Sequence, residues 1–195
     1  CKGECFLVVY ADDFIAGFQY PWEAERFYEQ LRSRMVKFGL ELEENKSRIV
    51  ESGRYLASLK AKRGESTRLG TFDFLGFTFY CGRTTKGNPW IMPKTSSKKF
   101  RQKVKEIKIW LYNNKEQKLG KLMYMLNVKL VGHYRYYGIS FNSRMISNYK
   151  QQVRELLYKV LNRRSEKKSY TREGFIEMMK YYKLVNPKIY YSLFC

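Results

Sequence analysis

The chain has 195 residues, and its 38 Lys and Arg against 18 Asp and Glu give a formal net charge of +20. This length suits one medium domain or two small ones. A hydrophobic content of 44% excludes a wholly disordered chain, and no apolar run approaches the roughly 18 residues of a membrane span. Aromatic residues make up 17% of the chain. A basic excess with many stackable side chains favours nucleic acid as the partner.

The beginning of the chain and its cysteines exclude several other classes. The first residues lack the apolar segment of a signal peptide, so we expect a cytoplasmic protein. They also lack an initiator Met, which indicates a piece of a longer protein. Cys1, Cys5, Cys81 and Cys195 show no disulfide framework and, with the single His133, no spacing typical of a zinc site. We therefore expect free thiols in a reducing compartment.

The first half of the chain has the pattern of a mixed α/β region. Short apolar runs, β-branched residues and Gly or Pro breaks indicate strands, and Pro21 at the start of an apolar periodic stretch indicates a helix. The predicted elements are a buried strand at 5–10, an acidic two-residue turn, a strand at 14–18, a helix from Pro21 to Phe38 stopped by Gly39, half-buried extended segments at 40–43 and 47–50, a surface loop at 53–70, a strand at 72–79 and a second hairpin through 87–92.

After Pro93 the periodicity becomes helical. Ser96 or Ser97, Asn142 or Ser143, and Thr171 are candidate caps, and apolar residues repeat at helical spacing behind each of them. The predicted stripes are Phe100, Val104, Ile107 and Leu111; Leu119, Leu122, Met123, Leu126 and Leu130; Ile146, Tyr149, Val153, Leu156, Val160 and Leu161; and Phe175, Met178 and Tyr182. We therefore predict an α+β chain with an N-terminal domain at 1–93 and a bundle of three to four helices at 94–195.

Two adjacent acidic residues, Asp12 and Asp13, lie between two apolar segments. Their carboxylates repel each other and lose water in such a place, and a bound Mg²⁺ would offset both costs because it prefers oxygen ligands. That arrangement is used in two-metal phosphoryl transfer. The simpler interpretation is turn chemistry alone, since Asp is common in tight turns.

Four ordered blocks resemble the reverse transcriptases of group II introns. Tyr10-Ala11-Asp12-Asp13 is similar to the Y-x-D-D box in the form usual in that family. The other blocks are the helix from Pro21 with Gly39–Leu42 and Asn45–Ser47, similar to the next part of the palm; Phe74-Leu75-Gly76, similar to the primer grip; and Leu126-Asn127, Leu130, Gly132 and Tyr136-Tyr137, similar to the thumb, or maturase (X) region.

This resemblance implies a role for each block. Asp12 and Asp13 would bind catalytic Mg²⁺ in a two-metal site completed by residues outside this chain. Tyr10 and Ala11 would lie under the incoming nucleotide and the primer end, and Lys46 would act as a general acid near the pyrophosphate. Phe74, Leu75 and Gly76 would position the primer 3′ end, with Gly76 allowing a close backbone approach.

The implied protein is an RNA-directed DNA polymerase that takes an RNA template, a DNA primer and dNTPs, and whose thumb also binds intron RNA to assist splicing. One departure matters: residues 1–9 hold no match to the family's earlier catalytic aspartate. We therefore expect no primer extension from this segment alone. Two alternatives remain open, an RNA-binding maturase module with an idle polymerase site and a specialised defence-type bacterial reverse transcriptase. A homodimer also remains open.

Basic residues of the helical half are the candidates for nucleic-acid contacts: Arg101, Lys105, Lys108, Arg135, Arg144, Lys150 and Arg154. Each one taken singly is typical of a solvated helix face, and the aggregate carries the prediction. The aromatic run at 133–137 either stacks on unpaired bases or places Tyr134 and Tyr137 in the core, and we favour the core. His133 has no catalytic or ligand partners in the sequence pattern, so we interpret it as structural.

Overall fold

The structure, a computed structural model, describes residues 1–43, 47–64, 69–163 and 170–193. It is α+β, as predicted. In chain order the described elements are β1 (Cys5–Tyr10), β2 (Asp13–Phe18), α1 (Pro21–Lys37), α2 (Arg54–Lys62), β3 (Phe72–Phe74), β4 (Phe77–Arg83), β5 (Pro89–Thr95), α3 (Ser97–Asn113), α4 (Leu119–Tyr137), α5 (Ser143–Leu161) and α6 (Arg172–Tyr181). Among these helices, none is long and apolar enough to cross a membrane.

The strands form two small sheets. β1 and β2 pair antiparallel in a register that runs from Cys5 opposite Phe18 to Tyr10 opposite Asp13. The second sheet has the order β3-β4-β5. The chain divides into two compact units: the first is Cys1–Phe74 with Tyr80–Ile91, and the second is Leu75–Phe79 with Met92–Cys195.

In the first unit the predicted helix is confirmed and the predicted burial of the first strand is wrong. α1 begins at Pro21 and ends before Gly39, which adopts a φ of +68°. α1 packs on β2, where the rings of Phe18 and Phe27 lie 5.2 Å apart. β1 is the outer strand of this pair, and its residues are exposed along its whole length. The apolar run predicts the strand correctly, but burial depends on a covering layer that β1 does not have among the described residues.

Three further predictions in this unit are corrected. Residues 40–43 and 47–50 form no strand, because an extended segment counts as a strand only when it pairs with a neighbour. The predicted loop at 53–70 instead contains α2. Leu56, Ala57 and Lys60 are strong helix formers at helical spacing, and Ala57 is buried.

The predicted single strand at 72–79 is a hairpin, with β3 and β4 joined by the two residues Leu75 and Gly76. Both adopt positive φ, 48° and 77°. Positive φ at both central residues is the requirement of the tight turn that joins twisted antiparallel strands. The second hairpin, β4–β5, is confirmed around Gly87 and Asn88.

The second unit has the four predicted helices and a continuous core. The predicted apolar stripes of α3, α4 and α5 supply most of the buried side chains, although on α5 the fully buried position is Leu157 and Leu156 is only half-buried. Two caps are confirmed: Ser96 Oγ accepts from the Lys99 N–H at 3.3 Å, and Thr171 Oγ1 from the Gly174 N–H at 3.1 Å. The helical periodicity therefore predicts this unit closely.

Asn142 differs from its prediction as a helix cap. It is the residue before α5, but its side chain makes no capping bond. Instead, its fully buried amide accepts from the Thr95 N–H and donates to Thr95 Oγ1 and to the Tyr137 carbonyl, each at 2.8 Å. Asn142 thereby joins the end of β5, the end of α4 and the start of α5.

Candidate functional site

The predicted catalytic pair lies at the tip of the β1–β2 hairpin. The turn residues are Ala11 and Asp12, whereas Asp13 already belongs to β2 and pairs with Tyr10. The predicted acidic turn is therefore shifted by one residue. Ala11 has a φ of 52°, a left-handed conformation that costs an L residue about 1–2 kcal/mol. Such strain persists only where the surrounding structure imposes it, and it is often found at functional sites.

The carboxylates of Asp12 and Asp13 are both exposed at this tip. In the part of the chain that the structure describes, no group of three or more His, Cys, Asp and Glu is arranged to hold a metal. Two adjacent carboxylates still fit Mg²⁺, which keeps several waters and binds proteins through one or two carboxylates together with substrate phosphates. The residues that could contribute to a metal site in this chain are thus Asp12 and Asp13.

The other residues of the predicted active site are distributed as follows. Tyr10 is exposed at the end of β1, next to the carboxylates. Lys46 lies outside the described residues. Phe74, Leu75 and Gly76 are half-buried at the β3–β4 turn.

The β3–β4 turn is fixed by hydrogen bonds within the second unit. The Tyr136 hydroxyl donates to the Leu75 carbonyl at 3.0 Å, and the Ser96 N–H donates to the Gly76 carbonyl at 2.9 Å. A Cβ added at Gly76 would lie 3.2 Å from the Tyr137 hydroxyl. Gly76 therefore permits a close approach of a tyrosine hydroxyl of this chain, and its role in positioning a primer stays a prediction.

Tyr134 and Tyr137, in the aromatic run at the end of α4, belong to the core, as favoured. Tyr134 and Tyr137 are buried, and the ring of His133 stacks on Tyr149 with 3.7 Å between centroids. Burial, with a smaller contribution from Lys103, lowers the pKa of His133 to about 4, and burial raises the pKa of Tyr134 and Tyr149. His133 is thus a neutral packing residue at pH 7. Among the aromatic residues of the run at 133–137, Tyr136 is the exposed one, and its ring stacks on Phe77.

A row of basic residues follows the exposed side of α3. Arg101, Lys105 and Lys108, three of the predicted contacts, are exposed at spacings of four and three residues, and Lys98 extends the row by another turn. Residues at these spacings share one helix face, and from Lys98 to Lys108 the row is about 15 Å long. α3 carries six basic residues and one acidic residue, 6 − 1 = +5. We call Lys98, Arg101, Lys105 and Lys108 the basic face of α3.

The remaining predicted contacts do not form one face. Arg135 is exposed on α4, and Arg144 and Arg154 are exposed on α5. Lys150 is half-buried, and its Nζ donates to Asn186 Oδ1 at 2.5 Å. Burial and, to a smaller extent, Arg154 lower the pKa of Lys150. Lys150 therefore has a partner within the chain and is the weakest of the seven candidates.

Comparison with known proteins gives one match, to the helical part of the chain. A family model of the group II intron maturase-specific domain matches residues 97–182, a range that begins with α3 and ends just after α6. Searches of curated proteins and of solved structures found no match. The match supports a group II intron maturase or reverse transcriptase C-terminal region in this part of the chain, and with it a maturase-related role.

Proposed function

We propose that the helical unit binds intron RNA as a maturase, and that the basic face of α3 is a principal contact. The observation that carries this proposal is the row of four exposed cations along one side of α3. The opposite side of the same helix carries the buried residues Ile107 and Leu111. The cations therefore face solvent on a rigid support.

A rigid row of cations suits a phosphate backbone. Each phosphate that Lys or Arg neutralises releases counterions, so binding of this kind weakens steeply with salt. Double-stranded RNA is recognised mainly by its shape and backbone, because its deep major groove is closed to side chains. We therefore expect the basic face of α3 to bind structured RNA with little preference for base sequence.

The test is the replacement of Arg101, Lys105 and Lys108 by Gln, with RNA affinity measured at several salt concentrations. If each residue contacts one phosphate, the slope of log K against log salt should fall by about 3. A charge-matched control replaces Arg26, Arg34 and Lys37, which are exposed on α1. An equal change of slope in both triple variants would contradict a dedicated role for α3.

We further propose that the β1–β2 hairpin is the metal-binding part of an RNA-directed DNA polymerase site that uses an RNA template, a DNA primer and dNTPs. The supporting observation is the left-handed φ of Ala11 beside Asp12 and Asp13 at the hairpin tip. Mg²⁺, when bound, would act as a Lewis acid on substrate phosphates. The two carboxylates would hold it, and Tyr10 and Ala11 would lie beside the nucleotide.

Metal binding by the hairpin can be tested without enzymatic activity. Paramagnetic Mn²⁺ should broaden the backbone amide signals of residues 10–14 at low equivalents, and Mg²⁺ should compete. The double variant Asp12→Asn with Asp13→Asn should lose this broadening. The control Asp73→Asn, at an exposed aspartate of β3, should keep it. Equal broadening in the Asp12/Asp13 variant would refute the metal site and leave the maturase proposal untouched.

A further inference from the structure

The segment after α6, residues 182–193, runs alongside α4, and we call it the C-terminal strap. The side-chain amide of Asn127 donates to the Lys183 carbonyl at 3.0 Å and accepts from the Val185 N–H at 2.9 Å. Beyond the end of α4, the Gly138 carbonyl accepts from the N–H groups of Tyr190 and Tyr191 at 2.7 and 3.1 Å. At both ends of the strap, backbone groups of the strap are therefore hydrogen-bonded to Asn127 or Gly138.

The strap is long enough to follow α4 from its start to its end. The Tyr182 ring lies near Gly120 at the start of α4, and the Tyr190 ring lies near Gly138 at its end. Eighteen helical residues span about 27 Å, and eight extended residues span about 26 Å. A Cβ on Gly138 would collide with the carbonyl oxygens of Tyr134 and Lys188, so glycine is needed for this close approach.

The strap and the end of α6 that precedes it present aromatic rings and cations instead of a closed apolar surface. Tyr181, the last residue of α6, is 81% exposed, and Tyr191 is 60% exposed. Lys183 and Lys188 are exposed between them. On α4, helical spacing places Tyr124 and Arg135 on the strip next to the Asn127 line that holds the strap, and Tyr124 is 71% exposed.

The charges within the strap and within α4 have one sign, and Glu177 lies one turn before Tyr181 on α6. No Asp or Glu occurs from Met178 to Leu193, and none occurs in α4, which carries Lys121, Lys129 and Arg135. Lys180 does pair with Glu177, at 2.6 Å, so we leave it out of the surface. A partner for this surface should therefore be anionic and should offer flat apolar faces.

We propose that the C-terminal strap, with Tyr181 at the end of α6 and the neighbouring strip of α4, binds unpaired RNA, whose bases stack on Tyr181, Tyr191 and Tyr124 while Lys183, Lys188 and Arg135 neutralise phosphates. Proteins that bind single strands combine a cationic track with aromatic platforms in this way. A duplex keeps its bases stacked on each other and cannot offer them to the rings. The proposal rests on the proposed RNA-binding function and assigns it a second surface, selective for single strands and beyond the end of the matched domain.

The test compares two RNA probes with the 195-residue chain: a labelled oligouridine of about a dozen nucleotides and a duplex of the same length. Tyr181→Ala with Tyr191→Ala should weaken oligouridine binding at least tenfold, about the loss expected per stacked base, and duplex binding by less than about twofold. The Tyr→Phe pair should bind like the parent, because phenylalanine keeps the stacking face. Tyr55→Ala, at an equally exposed tyrosine of the first unit, is the matched control.

A second variant tests the support of this surface. Gly138→Ala should displace the strap and reduce oligouridine affinity even though every tyrosine and lysine remains. Unchanged oligouridine binding by the Tyr181/Tyr191 variant, or an equal loss with both probes, would overturn the strap proposal. If the α3 triple variant then still loses duplex affinity, only the strap proposal fails. If no variant changes the binding of either probe, the proposed function fails as well.

Discussion

The two units of this chain use apolar residues in opposite ways. In the helical unit the apolar stripes of α3, α4 and α5 face one another, and Leu126, Leu130 and Val153 have no exposed surface. In the first unit the buried hydrophobic residues among those described are Ala57 and Leu69, while Phe6 and Val9 of β1 are each 61% exposed. An apolar pattern therefore gives a core only where a second layer covers it.

The difference also separates the two candidate sites. The basic face of α3 lies on the outside of a helix whose inner side is buried in the core. The positions of its cations are therefore fixed by the packing of that helix. The β1–β2 hairpin carries Asp12 in its turn and Asp13 at the start of β2, beside β1, whose apolar residues remain exposed. We expect the helical unit to dominate measured stability and the hairpin to respond mainly to local backbone changes.

The largest expected effect is a core truncation in the helical unit. Leu126→Ala removes a side chain with 0% exposure and should lower the free energy of unfolding by about 4 kcal/mol, the lost burial plus a cavity. Val8→Ala on β1 should cost less than about 1 kcal/mol, because Val8 is half exposed. Urea unfolding followed by circular dichroism measures both, and equal costs would contradict the contrast between the units.

The next effect is a pH dependence that belongs to the helical unit. The pKa of His133 is about 4 in the folded chain and 6.5 without the fold, so the unfolded state binds the proton more tightly. The contribution of neutral His133 to the free energy of unfolding is complete above about pH 6.5. As the pH falls towards 4, that free energy decreases by up to about 3 kcal/mol. His133→Gln should flatten stability between pH 4 and 6.5. A slope that survives in this variant would assign the dependence to other groups.

Asn142→Ala should lower the free energy of unfolding by about 2 kcal/mol, since it leaves the Thr95 N–H and the Tyr137 carbonyl buried without their partner. Asn148→Ala, at an exposed position of α5, should change it by less than about 0.5 kcal/mol. Thermal unfolding of the two variants gives the comparison. Similar melting temperatures would show that the buried amide does not join the three elements as described.

The smallest effect concerns the first unit and has the opposite sign. Ala11→Gly should stabilise the β1–β2 hairpin by about 1 kcal/mol, because glycine adopts a φ of 52° without strain. Ala16→Gly, within β2, should destabilise it by a similar amount. Hydrogen exchange of the hairpin amides reports both changes. A loss of protection in the Ala11→Gly variant would refute the strain at this turn.

Local sequence is enough to locate the helices of the second unit and much of the candidate site. Periodic apolar residues specify each helix and its inner face whatever it packs against, so α3 to α6 follow the predicted stripes except at Leu156, which is half-buried, and at Tyr182, which lies just beyond α6 and is 39% exposed. The acidic hairpin also follows from a local pattern, a short apolar run, a turn and a second run. Residues 53–70 are polar, basic and interrupted by glycines, which predicts a loop, although the Leu and Ala residues of α2 carry a helical signal.

Features that depend on distant parts of the chain could not be read in this way. Burial of β1 would need a second layer of structure over it. The apolar run and the Asp12–Asp13 pair are local patterns and do not show whether such a layer exists. The buried bonds of Asn142 join residues 47 positions apart, and the pKa of His133 depends on its burial in the surrounding core and, to a smaller extent, on Lys103. The strap of residues 182–193 has no periodic pattern, and its place beside α4 depends on Asn127 and on the missing Cβ of Gly138. Sequence specified what repeats along one element, whereas contacts between elements distant in sequence decided which surfaces are covered and which remain open to a ligand.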